Sequence, residues 1–135
     1  LDAVAVESIE KRQKTASINS LSKTFVERYG SYSNEANFEN LKDVISMMAP
    51  EFAEYTQNII DTSKSPDEYY GITTRVITVN VEELDEVAGS AVVVLNTQRE
   101  ESKVSVSNRS VWYQKIRIEF LKMSGVWKVV SASWL

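Results

Sequence analysis

With no histidine and no cysteine among 135 residues, acid–base chemistry and metal ligation fall to carboxylates and tyrosines. A serine–histidine pair is impossible, and no Gly-x-Ser-x-Gly turn is present to expose a nucleophile. A metal ion would find only oxygen ligands. The densest oxygen cluster is Glu82, Glu83, Asp85 and Glu86. It lacks the ligand spacing and central glycine of a calcium loop, so it reads as a solvated hairpin turn. No metal site and no cofactor motif is expected. What remains is a buried carboxylate or a tyrosine–aspartate pair, tuned for proton transfer by its surroundings. Tyr29, Tyr55 and Asp61 qualify by helix placement alone. Their competing reading is helix-core tyrosines with hydroxyls at the rim. No catalytic residue is assigned.

Binding chemistry offers more. Lys115 and Arg117 alternate onto one strand face with Tyr113, and Arg75 and Lys128 are candidates to lie near them. Glu119 interrupts this basic set, so a mixed-sign face is expected rather than a nucleic-acid surface. The same residue types suit protein docking, and Tyr113, Lys115, Arg117 and Trp134 are the candidate interface. Trp112 and Trp127 read as core residues closing the space between helices and sheet. Trp134 falls on the Lys128 side of the last strand. It is a core residue by default and an interface anchor where exposed. Tyr69-Tyr70-Gly71 reads as an aromatic segment at the mouth or edge of the fold.

The elements that must position these groups change character along the chain. Residues 1–30 favour helix, with Ile18, Leu21, Phe25 and Tyr29 forming one stripe. The upstream run Glu10-Lys11-Arg12-Gln13-Lys14 is polar on every side and reads as a projecting extension. Gly30 is expected to stop the helix in a left-handed conformation. Asn37 is placed to cap a second helix with Phe38, Leu41, Val44, Ile45 and Met48 inward. Pro50 suits the first turn of a third, whose buried candidates are Phe52, Tyr55, Ile59 and Ile60. Residues 61–67 form a loop. From Ile72 the run turns β-branched and helix-averse. Strands are expected over 72–81, 87–98, 111–123 and 126–135, with turns at 82–86, at Ser124-Gly125 and in the polar stretch 99–108. Along 111–121, Trp112, Ile116, Ile118 and Phe120 share a packed face and Tyr113, Lys115, Arg117 and Glu119 a wet one. The expected core is Phe25, Leu41, Phe52, Trp112, Ile116, Ile118, Phe120 and Trp127.

This order is an α+β domain with its helices on one sheet face. The length suits one domain, and 43% hydrophobic residues supply its core. Residues 1–67 hold seven basic and eleven acidic side chains, and 68–135 hold eight of each. A helical half that is weakly acidic does not attract phosphate backbones. No stretch approaches the roughly 18 apolar residues of a membrane span.

Three features together resemble the NTF2-like superfamily. They are the Phe25-Val26-x-x-Tyr29 helix end, the helix pair Phe38 to Met48 and Pro50 to Ile60, and the closing Phe120-Leu121-Lys122-x-x-Gly125-x-Trp127-Lys128-Val129. The resemblance implies a cone: three N-terminal helices packed on a curved four-stranded antiparallel sheet, covering residues 14–135. Residues 1–13 would then be a helical extension or juxtamembrane segment. Within the superfamily the chain most resembles VirB8-type domains of type IV secretion and conjugation machines, through its long leading helix and terminal strand. That resemblance implies a non-enzymatic assembly domain that contacts other channel subunits. It would lie outside the cytoplasm, anchored to the cell membrane by a single upstream span. No cofactor and no direct nucleic-acid contact are implied. The isolated domain is expected to be a monomer or weak dimer. Isomerase and cyclase relatives of the fold keep an alternative in view, a small-molecule enzyme or binder using the cone interior.

Overall fold

A computed structural model describes residues 3–33, 39–62, 69–104 and 109–135. The expected cap Asn37, its neighbour Phe38 and most of the loop 61–67 lie outside them. Helix α1 spans Ala3–Tyr29, β1 Tyr32–Ser33, α2 Glu39–Val44, α3 Pro50–Thr62, β2 Tyr69–Asp85, β3 Ser90–Val104, β4 Arg109–Met123 and β5 Val126–Trp134. A single 3-10 turn, Ile45–Met47, follows α2. All neighbouring strands are antiparallel in the order β1-β2-β3-β4-β5.

The sheet has five strands rather than four. The added member pairs only Tyr32 with Ile72 and Ser33 with Gly71, too short a pairing to leave an alternation in sequence. The turn expected at 82–86 also moves. β2 continues to Asp85, and the reversal falls at Glu86 to Gly89, where Gly89 has φ +70°. The Asp85 carboxylate holds it by accepting hydrogen bonds from Val87 N (3.0 Å) and Ala88 N (2.9 Å). Val87, expected to open a strand, is therefore a fully exposed turn residue. At the other end β3 runs on through Arg99 to Val104 rather than turning at 99. The β4–β5 reversal is the expected Ser124-Gly125, with φ 51° and 81° matching a tight hairpin turn.

Three register shifts shape the sheet. They fall between Val76 and Thr78, between Val81 and Glu83, and opposite Glu119–Phe120 in β5, where Val130 is the additional residue. Each bulge bends its strand and tightens the local twist, so the sheet curves into a half-barrel around the helices. Each also reverses the parity of the side chains beyond it. Trp134 consequently pairs with Ile116, and Ala132 with Ile118, on the inner face. The alternation read from sequence put Trp134 on the opposite face.

The core lies between α1, the α2–α3 connection and the inner sheet face. Ile18, Phe25 and Val26 of α1 are fully buried, with Val44 and Met48, against Val93, Leu95, Ile116, Ile118, Phe120 and Val129. Phe52 is half-buried, packed on Phe25 and Tyr29 at ring separations of 6.4 and 6.0 Å. Trp127 is half-buried and meets Phe120 edge-on at 6.4 Å. Leu41 and Trp112 are also only half-buried and sit outside this cluster. Tyr55 and Ile59 are exposed, 64% and 44%, because their end of α3 overhangs a cavity instead of packed sheet.

Gly30 ends α1 without a left-handed conformation. Its role is close approach. A Cβ there would stand 2.5 Å from Thr74 Oγ1, and the Thr74 hydroxyl donates to Gly30 O at 2.6 Å. The last turn of the helix is thus pinned to β2, beside the cavity.

Candidate functional site

Along β3 the inward positions read Ala91, Val93, Leu95, Thr97, Arg99 and Glu101. Cross-strand pairing carries each into a row. Leu84, Ala91, Phe120 and Val129 form the innermost row, whereas Thr74, Arg99 and Trp112 form a row near the opposite end. The inner face is therefore apolar at one end and polar at the other. The polar end opens into a cavity of about 330 Å³ between α1, α2, α3 and the sheet, bordered by Tyr29, Tyr32, Tyr55, Ile59, Arg99 and Trp134 among others.

Arg99 is the central feature. The residue is 8% exposed. Its Nε donates to Thr74 Oγ1 and its Nη1 to Gln114 Oε1, both at 3.1 Å, and Tyr32 is a further hydrogen-bond partner. The guanidinium carbon lies 3.8 Å from the Trp134 ring centroid and 5.5 Å from that of Trp112, a cation–π sandwich. Trp112 Nε1 donates to the same Gln114 oxygen at 3.1 Å. Among the described residues no carboxylate reaches ion-pairing distance of Arg99. Glu101, two positions along, accepts from the Tyr70 hydroxyl (3.2 Å) and pairs with Lys103 (3.3 Å). Burial holds the Arg99 pKa below its ordinary value, opposed by Tyr32, Tyr70 and Glu101. Arginine nevertheless stays charged.

Two tyrosines near it, Tyr29 and Tyr70, are held neutral. Burial raises the Tyr29 pKa, with Tyr55 and Tyr32 adding and Arg99 opposing. Burial also raises that of Tyr70, reinforced by Tyr32 and Glu101. At neutral pH the site thus offers one fixed cation, phenolic hydroxyls and apolar walls.

Of the sequence-predicted groups, Tyr29 and Tyr55 border the cavity. Asp61 does not; it accepts from Gln57 Nε2 at 2.9 Å on the exposed side of α3. The proposed tyrosine–aspartate pair is not assembled. In the acidic cluster, Glu82 and Glu83 are exposed strand residues, Asp85 caps the turn and Glu86 pairs with Lys122 at 3.1 Å. Among the described residues no group of three acidic side chains could hold a metal.

Tyr113, Lys115 and Arg117 do share the outer face, with Tyr113 71% exposed. Arg117 pairs with Glu119 at 3.3 Å. Arg75 lies in the Gln98–Tyr113 row and hydrogen-bonds Gln98. Lys128 is turned away, donating to Ser46 O at 2.7 Å. Trp134 is separated from the trio by the sheet itself. Sequence reasoning missed Arg99, yet a signal existed: it holds the next inward position after Ala91, Val93, Leu95 and Thr97.

No family model matches the sequence, and no curated protein does either. Solved structures match over nearly the whole chain. The VirB8 protein of Agrobacterium tumefaciens aligns with TM-score 0.70 at 16% identity, covering 91% of this chain and 92% of that one. CagV, a VirB8 homologue of the Helicobacter pylori type IV secretion system, aligns with TM-score 0.64 at 10% identity, covering 88% and 96%. TraH, a putative transfer protein of the Gram-positive conjugative plasmid pIP501, aligns with TM-score 0.55 at 11% identity, covering 87% and 90%. The chain has a VirB8-type, NTF2-like fold.

Proposed function

We propose that this chain is a non-enzymatic assembly component of a type IV secretion or conjugation apparatus, working through protein–protein contacts. The observation that carries the reading is the near-complete, two-way coverage between this domain and VirB8-type domains. Fold alone does not specify activity, so the site must agree. Among the described residues the cavity is bordered by no carboxylate and no nucleophile–base pair, which favours assembly over the isomerase-like alternative. The outer-face trio Tyr113, Lys115 and Arg117 is the contact surface in this proposal. Trp134 leaves that group, since it is committed to Arg99.

The proposal further places the domain outside the cytoplasm, held to the membrane through a segment preceding α1. Among the described residues no helix is long and apolar enough to cross a membrane. The motivation is α1 itself: among its described side chains full burial begins at Ile18, while Arg12, Gln13 and Lys14 are exposed. The test is deletion of the gene in its host. Loss of DNA transfer or effector secretion, restored by the wild-type gene but not by a Tyr113→Ala/Arg117→Glu variant that accumulates normally, supports the reading. Unchanged transfer and secretion after deletion contradicts it.

A further inference from the structure

Pairing across the strands sorts the outer sheet face by charge. Arg75, Gln98 and Tyr113 form one row, Thr78, Asn96 and Lys115 the next, and Asn80, Val94, Arg117 and Ser133 the third. These rows hold three cations and no carboxylate. The rows on either side bring Glu100 and Glu119, which pair with Arg109 (3.2 Å) and Arg117 (3.3 Å). Among the described residues no carboxylate lies within ion-pairing distance of Arg75 or Lys115. A groove of about 240 Å³ crosses the same rows, bordered by Ile77, Asn96, Tyr113 and Lys115 among others. Ile77 is the residue that the first bulge leaves without a cross-strand partner. It is 51% exposed and Tyr113 71%.

The opposite chemistry sits at the β2–β3 turn. Val87 is fully exposed there, and nothing in the turn requires it. The reversal is made by the Asp85 carboxylate and by Gly89, and valine is not among the residues that turns favour. Around Val87 stand Glu82, Glu83, Asp85 and Glu86. Among the described residues only Glu86 has a cationic partner, Lys122. From Ser90, beside the turn, to Asn96 in the Lys115 row is on the order of 20 Å of strand. A copy therefore cannot place its own turn in its own groove.

We propose that the outer face docks the β2–β3 turn of a second copy of this chain, with Val87 in the groove between Ile77 and Tyr113 and the carboxylates of the turn against Arg75 and Lys115. Charge complementarity selects this occupant. The turn is acidic with an apolar tip, and the groove is cationic with an apolar and aromatic rim. Each matches the other and neither matches itself, because like charges brought together repel. The contact is therefore head-to-tail. It leaves a free turn on one copy and a free groove on the other, so it propagates into a chain or closes into a ring. The tip of a turn buries far less than the roughly 1,600 Å² of a standard interface. The contact is weak in dilute solution and gains strength where copies are held side by side. The inference rests on the outer face being the contact surface of the assembly reading, and it names what that surface contacts.

The test is sedimentation and amide NMR of the chain up to about 1 mM, on the wild type and on two variants. The wild type is expected to self-associate with Kd of about 0.1–1 mM. Its Val87 and Tyr113 signals should shift together with concentration, and added salt should weaken the association severalfold. Val87→Lys disables the turn, and Arg75→Glu with Lys115→Glu disables the groove. All three positions are exposed, so both spectra should stay dispersed. Each variant alone should associate at least tenfold more weakly. An equimolar mixture of the two should associate again and stop at a 1:1 heterodimer, since one intact turn and one intact groove remain. If a variant does not fold, the paired shifts and salt dependence of the wild type decide. No association at 1 mM, variants that associate as the wild type does, a mixture that stays monomeric, or shifts confined to α1 or α3 would each overturn the proposal. Any of these results, with DNA transfer or secretion still lost on gene deletion, would strike this contact and leave the assembly reading standing.

Discussion

The two ends of the inner sheet face use the same strands and the same alternation to opposite ends. At one end Ala91, Val93, Ile118, Phe120 and Val129 close against α1 and the α2–α3 connection in one buried apolar cluster. At the other, a few residues farther along β3, Thr97 and Arg99 take the equivalent inward positions, and α3 stands away from the sheet over a cavity. Burial of apolar area is the main favourable term in folding, so the first end should hold the domain together. The second end keeps a desolvated cation, which contributes little to stability. An expensive group retained in a cavity is the usual mark of a site that works on something else.

The largest effect should come from the packed end. Phe120→Ala removes a fully packed ring and is expected to cost about 3–5 kcal/mol, read from urea or guanidinium unfolding. Under 1 kcal/mol would break the contrast by showing that this end is not tight. Next comes the junction between the ends. Gly30→Ala places a methyl 2.5 Å from Thr74 Oγ1 and should cost about 1–3 kcal/mol by overpacking, while also shifting Arg99 through its bond to that hydroxyl. A neutral Gly30→Ala would mean that α1 is not pinned at this point.

The contrast also predicts an alkaline response specific to the polar end. Tyr29 and Tyr70 have pKa values raised above the ordinary 10.0 in the folded protein. The folded state therefore holds protons that the unfolded chain releases. Their stabilising contribution is complete below pH 10 and is lost as pH rises through the higher folded values. Unfolding midpoints followed from pH 8 upward should fall beyond pH 10, and Tyr29→Phe with Tyr70→Phe should flatten that fall. A profile identical in the double variant would show that these hydroxyls are not the cause.

Smaller still is the expected self-association. The outer face mixes Tyr113, Lys115, Arg117 and Glu119 without an apolar stripe, and stable interfaces are larger and more apolar. Sedimentation is expected to report a monomer or weak dimer at micromolar concentration. A stable ring at that concentration would turn the outer face into a strong interface and sharpen the assembly proposal.

How much of this was legible in sequence follows the same division. The packed end was readable, because Ile116, Ile118 and Phe120 alternate without interruption and the α1 stripe is regular. Together with the closing hairpin at Ser124-Gly125 these residues carried the resemblance that implied the cone-shaped fold. The polar end was not, for physical reasons that differ by residue. The bulges at Ile77, Glu82 and Val130 reverse side-chain parity without any signature such as glycine or proline, so Trp134 was assigned to the wrong face. The two-residue β1 exists only through its pairing with Gly71 and Ile72. Gly30 is fixed by a contact with a residue 44 positions away. Arg99 alone was within reach: a charged residue in an inward register looks like the end of a strand, and here it borders the cavity.

The most direct test of the claim that the polar end contributes little to stability is denaturant unfolding of Arg99→Met beside Phe120→Ala. Methionine keeps the apolar stem between the tryptophans and removes the desolvated charge, a replacement that is often neutral or stabilising when surrounding groups can repack. A change of about 1 kcal/mol or less, in either direction, is the predicted result. A loss as large as that of Phe120→Ala would contradict it and make Arg99 a structural strut of the half-barrel.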